Sequence, residues 1–241
     1  MKIGIITQAR TGSSRLPKKV LLPIKKKTLL EYHIERLQQA NLPVYVATTR
    51  NEEDDEIVKI AHQKQVRFSR GSETDVLCRY YSCAKENDLD FIVRVTSDCP
   101  LIDAGLIARG VSLLEERGFG SRLFISNTIE RTFPRGFDFS LFSFQMLEEA
   151  QFRASDPYLR EHVTPYFHQN VPGDIEHCSI RNTDDFSHFR ITVDQQEDFL
   201  LVKRLIEDYG CEDKNYQEII QVMVDHPGLA EINAAVRQKE K

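Results

Sequence analysis

The sequence has neither of the glycine-rich runs that most often cradle a nucleotide's phosphates. GxxxxGK[ST] is absent and so is GxGxxG, which disfavours an ATPase or a dinucleotide-binding dehydrogenase of the usual kind. A basic excess is missing too: 32 Lys and Arg against 37 Asp and Glu give a formal charge of −5. That balance argues against broad binding to nucleic acid or to an acidic membrane, both of which need a basic footprint. Apolar runs are short. None approaches the length that crosses a bilayer, and the first residues enter a core strand without a signal-peptide segment, so the expected location is cytoplasmic. Cysteine is sparse: Cys78, Cys83, Cys99, Cys178 and Cys211 contain no CxxC or other close metal-ligand spacing. An odd, dispersed set fits reduced thiols better than a disulfide framework.

What the chain does have is a regular alternation of strands and helices. Ile3, Ile5 and Ile6 form a short apolar strand of the kind buried on both faces of a parallel sheet. Thr28 can cap a helix carrying Leu30, Ile34 and Leu37 on one face. The strand VYVATT (44–49), a helix with Ile57, Ile60 and Ala61, a short strand at 66–68 and a helix over 73–87 continue the rhythm. The strand DFIVRVTSD (90–98), a helix over 103–116 and a strand at 122–127 follow. This pattern predicts an α/β fold with a mainly parallel central sheet and flanking helices. The run TIERTFPRGFDFSLFSF then breaks the rhythm and reads as a hairpin or extension over the sheet's open edge, bordering a pocket, a dimer contact or both. Residues 144–170 read as mainly helical, interrupted near Asp156-Pro157 and Thr164-Pro165. Strands around 175–180 and 188–193 and helices near 197–209, 215–224 and 228–238 complete the chain. One domain over 1–241 is expected, with 128–172 as an embedded elaboration.

Chemistry-bearing residues cluster at predicted strand ends. After the first strand, Gly12, Ser13 and Ser14 lie among Arg10, Arg15, Lys18 and Lys19. Converging backbone N–H groups and cations at that position make a small polyanionic ligand a better fit than a solvated basic turn. Asp98 arrives where the 90–98 strand stops, and Asp194 where the 188–193 strand stops. If those strands are neighbours, the two carboxylates can share a Mg²⁺, which takes oxygen ligands and substrate phosphates. The acidic run at 52–56 reads as a solvated helix start. Asp75 and Arg79, four apart, can touch on an exposed helix face, as a structural or a ligand-binding pair. Arg160, Glu161 and His162 fit substrate hydrogen bonding or a helix-end network equally well.

Seven separated stretches carry a family likeness: QARTGSSRLPKKVL, VATT, FSRGSETDVLCRYY, FIVRVTSDCPLID, FPRGFD, REHVTPYF and FRITVDQQEDF. The sequence resembles the spore-coat polysaccharide biosynthesis cytidylyltransferases, relatives of the acylneuraminate and 3-deoxy-octulosonate cytidylyltransferases, from residue 3 to roughly residue 205. The resemblance implies a Rossmann-like nucleotidyltransferase fold, CTP and Mg²⁺ dependence, a small anionic sugar acceptor and commonly a homodimer. It further implies nucleotide binding by Ala9, Arg10, Gly12, Ser14, Arg15 and Lys19, with Gly71 and Asp75 in a second nucleotide-side motif. Asp98 and Asp194 resemble the magnesium ligands, and Arg135, Glu161 and His162 fall in the acceptor-side region. The departures are Lys18 where relatives often have glycine, no glycine within 25–28 where one is common, and Ser140 where an acidic residue often follows the PRG-x-D motif. The expected reaction is transfer of CMP from CTP to the hydroxyl of a sialic-acid-like 2-keto sugar acid. Remaining alternatives are an alditol phosphate or phosphonate acceptor, a glycosyltransferase, or a non-catalytic nucleotide-binding scaffold.

Overall fold

The computed structural model of the 241-residue chain describes residues 1–237. In chain order the elements are β1 (Ile3–Gln8), the two-residue strands β2 (Pro23–Ile24) and β3 (Lys27–Thr28), α1 (Leu29–Gln38), β4 (Val44–Thr49), α2 (Asp55–Gln63), β5 (Arg67–Gly71), α3 (Val76–Glu86), β6 (Phe91–Thr96) and α4 (Ala104–Glu116). Then come β7 (Leu123–Ser126), β8 (Ser140–Ser143), α5 (Phe144–Arg153), α6 (Pro157–His162), α7 (Pro165–His168), β9 (Glu176–Ser179), α8 (Gln196–Glu207), α9 (Tyr216–Asp225) and α10 (Gly228–Glu231). Seven strands form one sheet in the order β5-β4-β1-β6-β8-β7-β9.

Burial on both faces explains the composition of the strands. All six residues of β4 are buried. In β1, Ile5 joins the apolar cluster on one side of the sheet and its neighbour Ile6 the cluster on the other, as a period of two requires. Helix α1 starts where Thr28 and Glu31 exchange hydrogen bonds, each side chain accepting from the other's backbone N–H. Its Leu30, Ile34 and Leu37 are fully buried.

The aromatic segment differs from its expected place. Ser140–Ser143 is not an edge extension but an interior strand, antiparallel to both β6 and β7, while the other pairings of the seven-stranded sheet are parallel. Phe133, Phe137, Phe139 and Phe142 are buried in the core, so they offer no exposed aromatic surface. A four-residue strand without a crossover helix after its neighbour gives no βα period to read. The excursion before it depends on Gly136, whose φ is 118° and whose added Cβ would lie 2.7–2.8 Å from Ile191 and the Thr192 nitrogen. Only glycine fits both the backbone angle and the contact.

The segment 188–193 is no sheet strand; it begins in a turn, Phe189 N donating to Phe186 O, and its bridge is an isolated one between Arg135 and Arg190. Loops take its backbone groups instead: Ile191 N donates to Arg135 O and Val193 N to Asp98 O. Residues 144–170 divide into α5, α6 and α7, with Pro157 and Pro165 each opening a new helix. Between α6 and α7, Val163 has φ 65° and ψ −65°, and Thr164 N donates to His162 O at 2.7 Å, a γ-turn of the strained hand. The last helix stops at Glu231, short of the expected span, whose final position 238 lies outside the described residues.

Candidate active site

A cleft of about 740 Å³ opens over the carboxyl ends of β1 and β6, where open α/β sheets take their ligands. Its first wall is the loop after β1. Ala9, Arg10, Gly12, Ser14 and Arg15 line it together with Lys19. A buried carboxylate positions the loop: Asp54 accepts from both the backbone N and the hydroxyl of Thr11 at 2.7 Å, and from the Thr49 hydroxyl. Asp54 is 1% exposed, so this member of the acidic run is no solvated helix starter. Burial works against its charge, but those donors outweigh it and its carboxyl stays below the usual range. Lys18, φ 53°, and Lys25, φ 51°, both hold left-handed backbone. The expected departure at Lys18, and one position of the 25–28 segment where the other is expected, therefore fall at angles where glycine costs least.

At the cleft's centre the two carboxylates meet. Lys19 Nζ donates to Asp98 Oδ2 at 3.1 Å, to Asp194 Oδ1 at 2.8 Å and to Val193 O at 2.9 Å. The adjacency comes from the Val193–Asp98 backbone hydrogen bond, not from paired strands. Arg15 approaches Asp194 Oδ1 at 2.9 Å, and Arg190 bridges Asp194 Oδ2 and the buried Asp198. Burial disfavours the Lys19 charge, yet Asp98 and Asp194 more than compensate and its pKa is raised. Burial likewise opposes ionisation of Asp98, but Lys19 and the Thr96 hydroxyl pull its pKa down to about 2.

The far wall carries the residues expected on the acceptor side: Arg135, Glu161 and His162 all line the cleft. Arg135 hangs on the 188–193 segment through its own backbone, donating to Phe189 O at 3.0 Å. Glu161 and His162 form the last turn of α6. Gly71 and Asp75 are not among the lining residues. Asp75 caps α3 through Cys78 N and holds Arg160 at 2.6–2.9 Å. Its carboxylate does not pair with Arg79, which meets it only through backbone, Arg79 N donating to Asp75 O at 3.3 Å; the Arg79 guanidinium, in a residue 2% exposed, donates to the carbonyls of Ser72 and Glu73. Gly71 makes room for that arginine, since a Cβ there would lie 2.8 Å from Arg79 Cγ.

The model of the cytidylyltransferase family matches residues 3–241. The chain belongs to the cytidylyltransferase family. A solved cytidylyltransferase from Leptospira borgpetersenii is similar with a TM-score of 0.89 and 36% identity, covering 100% of this chain and 99% of that one. An uncharacterized protein of Methanocaldococcus jannaschii is 36% identical over 99% of this chain and 97% of its own length. The spore coat polysaccharide biosynthesis protein SpsF of Bacillus subtilis is 28% identical over 95% of this chain and 96% of its own. The enzyme is thus a nucleotidyltransferase, with the seven-stranded, mainly parallel sheet described above.

Of the Asp75–Arg79 pair only Arg79 lines the cleft, and sequence reasoning missed several other residues of this cytidylyltransferase's cleft: Gln8, Arg94, Thr128, Arg131 and His168 also line it. Arg131 spends its charge on Asp138, bonding both carboxylate oxygens at 2.7 and 2.8 Å. His168 accepts or donates at Thr128 Oγ1, 3.1 Å away, and sits edge-on to Phe124. Burial, then His177, Arg94 and Arg131, push its pKa down to about 4, so it is neutral at pH 7. The one available signal for Arg94 was its charge inside an otherwise apolar strand; it reads there as a solvated alternation until β6 is known to end in a cleft. Beneath the site, His33 is fully buried between Thr7 Oγ1 at 2.9 Å and Cys99 O at 2.8 Å. A carbonyl only accepts, so Nδ1 carries the proton and Nε2 accepts from Thr7, which ties α1 to the turn bearing Asp98.

Proposed function

We propose that this cytidylyltransferase moves CMP from CTP to a hydroxyl of an anionic sugar-like acceptor of the 2-keto acid class, with Mg²⁺, releasing pyrophosphate. The observation that carries the reading is the Lys19 ammonium seated between Asp98 and Asp194 beside the basic loop. Two carboxylates already gathered around one cation match the donor set Mg²⁺ takes when nucleotide oxygens and water complete its shell. No group of three or more His, Cys, Asp or Glu side chains able to hold a metal occurs among the described residues; on this reading the metal arrives with the triphosphate. Asp98 and Asp194 would hold it, and when bound it would supply charge against the phosphate oxygens and orient the reacting phosphoryl group.

The chain's own residues do the rest. Arg10, Arg15 and Lys19 hold the β- and γ-phosphate charge and make pyrophosphate a better leaving group. Asp98, with its pKa at about 2, stays ionised across the physiological range. The acceptor hydroxyl attacks the α-phosphorus opposite the departing diphosphate, so alignment by the two cleft walls supplies much of the rate. Direct displacement needs no protein nucleophile. The similarity to a polysaccharide biosynthesis protein supports sugar activation, and we assign the enzyme to the cytoplasm as a homodimer, the latter checked by sedimentation. A panel of nucleoside triphosphates against sugar acids, alditol phosphates and phosphonates, with pyrophosphate and product mass measured together, tests the reading. Magnesium-dependent pyrophosphate release from CTP only with a sugar acid is expected. UTP-selective product, or nucleotide-sugar consumption with CTP untouched, overturns it.

A further inference from the structure

The cations of the cleft are unevenly balanced. Lys19 and Arg15 meet carboxylates, and Arg131 has Asp138. Arg94 has none. Its Nη2 lies a long 3.4 Å from Gln8 Oε1, its guanidinium carbon sits 5.6 Å from the Tyr80 ring centre, and its Nε is buried with no hydrogen-bond partner. Across the β6–β8 ladder the residue opposite is Ser140, whose hydroxyl is used by Ser126 Oγ at 3.0 Å. Ser126 in turn lies 2.9 Å from the Thr128 hydroxyl, which reaches His168. A half-buried guanidinium with an orphan donor, flanked by hydroxyls and a neutral imidazole, is stabilised by an anion brought from outside.

We propose that Arg94 is a specificity-determining residue that binds an oxyanion of the acceptor, with Thr128 and His168 completing the subsite. This rests on the acceptor-side reading above. The nucleotide's own phosphates already have cations in Arg10, Arg15 and Lys19, on the loop after β1, which leaves Arg94 for a second anion. The guanidinium fork suits a carboxylate or a phosphoryl group alike, so the shared chemistry is an oxyanion on a hydroxylated molecule.

The test uses the intact protein with Mg²⁺ and the non-hydrolysable α,β-methylene analogue of CTP. The Arg94 Nε–H resonance is identified by its absence in Arg94→Lys. It is then followed through titrations with N-acetylneuraminate, its uncharged methyl ester, glycerol 3-phosphate and inorganic phosphate. At least one anionic probe is expected to shift that resonance downfield, the methyl ester to leave it unmoved, and Arg94→Met to weaken the same probe about 10- to 100-fold with the CTP analogue held as before. Which probe shifts it separates a carboxylate from a phosphoryl ligand. If no anion moves the resonance, or if Arg94→Met lowers the melting temperature while probe binding is unchanged, Arg94 is a packing group over Tyr80 and the subsite is rejected. Failure of the transferase reading shows separately, as an absence of pyrophosphate in the turnover panel.

Discussion

The wall built around Asp98 and Asp194 and the Arg94 guanidinium treat charge in opposite ways. Around the two carboxylates the protein neutralises itself: Lys19 and Arg15 face Asp98 and Asp194, and Arg190 faces Asp194 and Asp198. Arg94 has no carboxylate partner. On the proposed function, the first would be ready for a doubly charged metal and a triphosphate through ion pairs that can be exchanged, and the second would leave its charge unanswered until an anionic ligand comes.

Removing a carboxylate from the balanced wall is the strongest way to break the comparison. Asp98→Asn is expected to lower CTP turnover about 100- to 1,000-fold with the circular dichroism spectrum retained, whereas Lys18→Ala, at the solvent-screened rim, changes it by less than about threefold. Near-normal turnover of Asp98→Asn at saturating Mg²⁺ removes the metal role. Lys19→Gln sharpens the same contrast: without its internal cation, the Asp98–Asp194 pair should bind Mn²⁺ in the absence of nucleotide about tenfold more tightly than the wild type, read by electron paramagnetic resonance. Unchanged Mn²⁺ affinity means that Lys19 does not occupy the metal's place.

Next comes pH. His33 and His168 have pKa values pushed down to about 4, first by burial, against about 6.5 when unfolded. The unfolded chain therefore binds more protons between those values, so stability is complete above pH 6.5 and falls as the pH drops toward 4. Urea midpoints should decline over that window, and the decline should flatten in the His33→Gln, His168→Gln double variant. An equal slope in both proteins excludes the two histidines as its cause.

The smallest effect concerns Val163, buried at φ 65°. Truncation normally costs more the further it goes, but here glycine also relieves about 1–3 kcal/mol of backbone strain. Val163→Gly should be at least as stable as Val163→Ala in urea unfolding; the usual order, alanine above glycine, denies the strain.

Much of the sheet was legible because burial on both faces writes itself as continuous apolar runs such as VYVATT and FIV, and because caps such as Thr28 and turn residues punctuate them. The short strand Ser140–Ser143 was not, since an interior antiparallel strand of four residues leaves neither a period nor a following crossover. In the site, Arg10, Arg15, Lys19, Asp98 and Asp194 were legible as charges stranded at the ends of apolar segments, though the 188–193 segment that delivers Asp194 is no sheet strand. Arg94, Thr128 and His168 were hidden for a simple reason. Each lies on a different element, and only the packing of α7 against β7 and β8, beside the loop after β7, brings them to one cleft.

Asp54 carries a last consequence. Of the three neighbouring acids Glu52, Glu53 and Asp54, which look interchangeable as a string of letters, only the third reaches inward to grip Thr11. A change there is expected to loosen the loop after β1 although Asp54 itself does not line the cleft, while its two exposed companions are free to vary. Tolerance to substitution in this enzyme is thus decided one side chain at a time, by what stands behind the loop rather than by what stands in front of it.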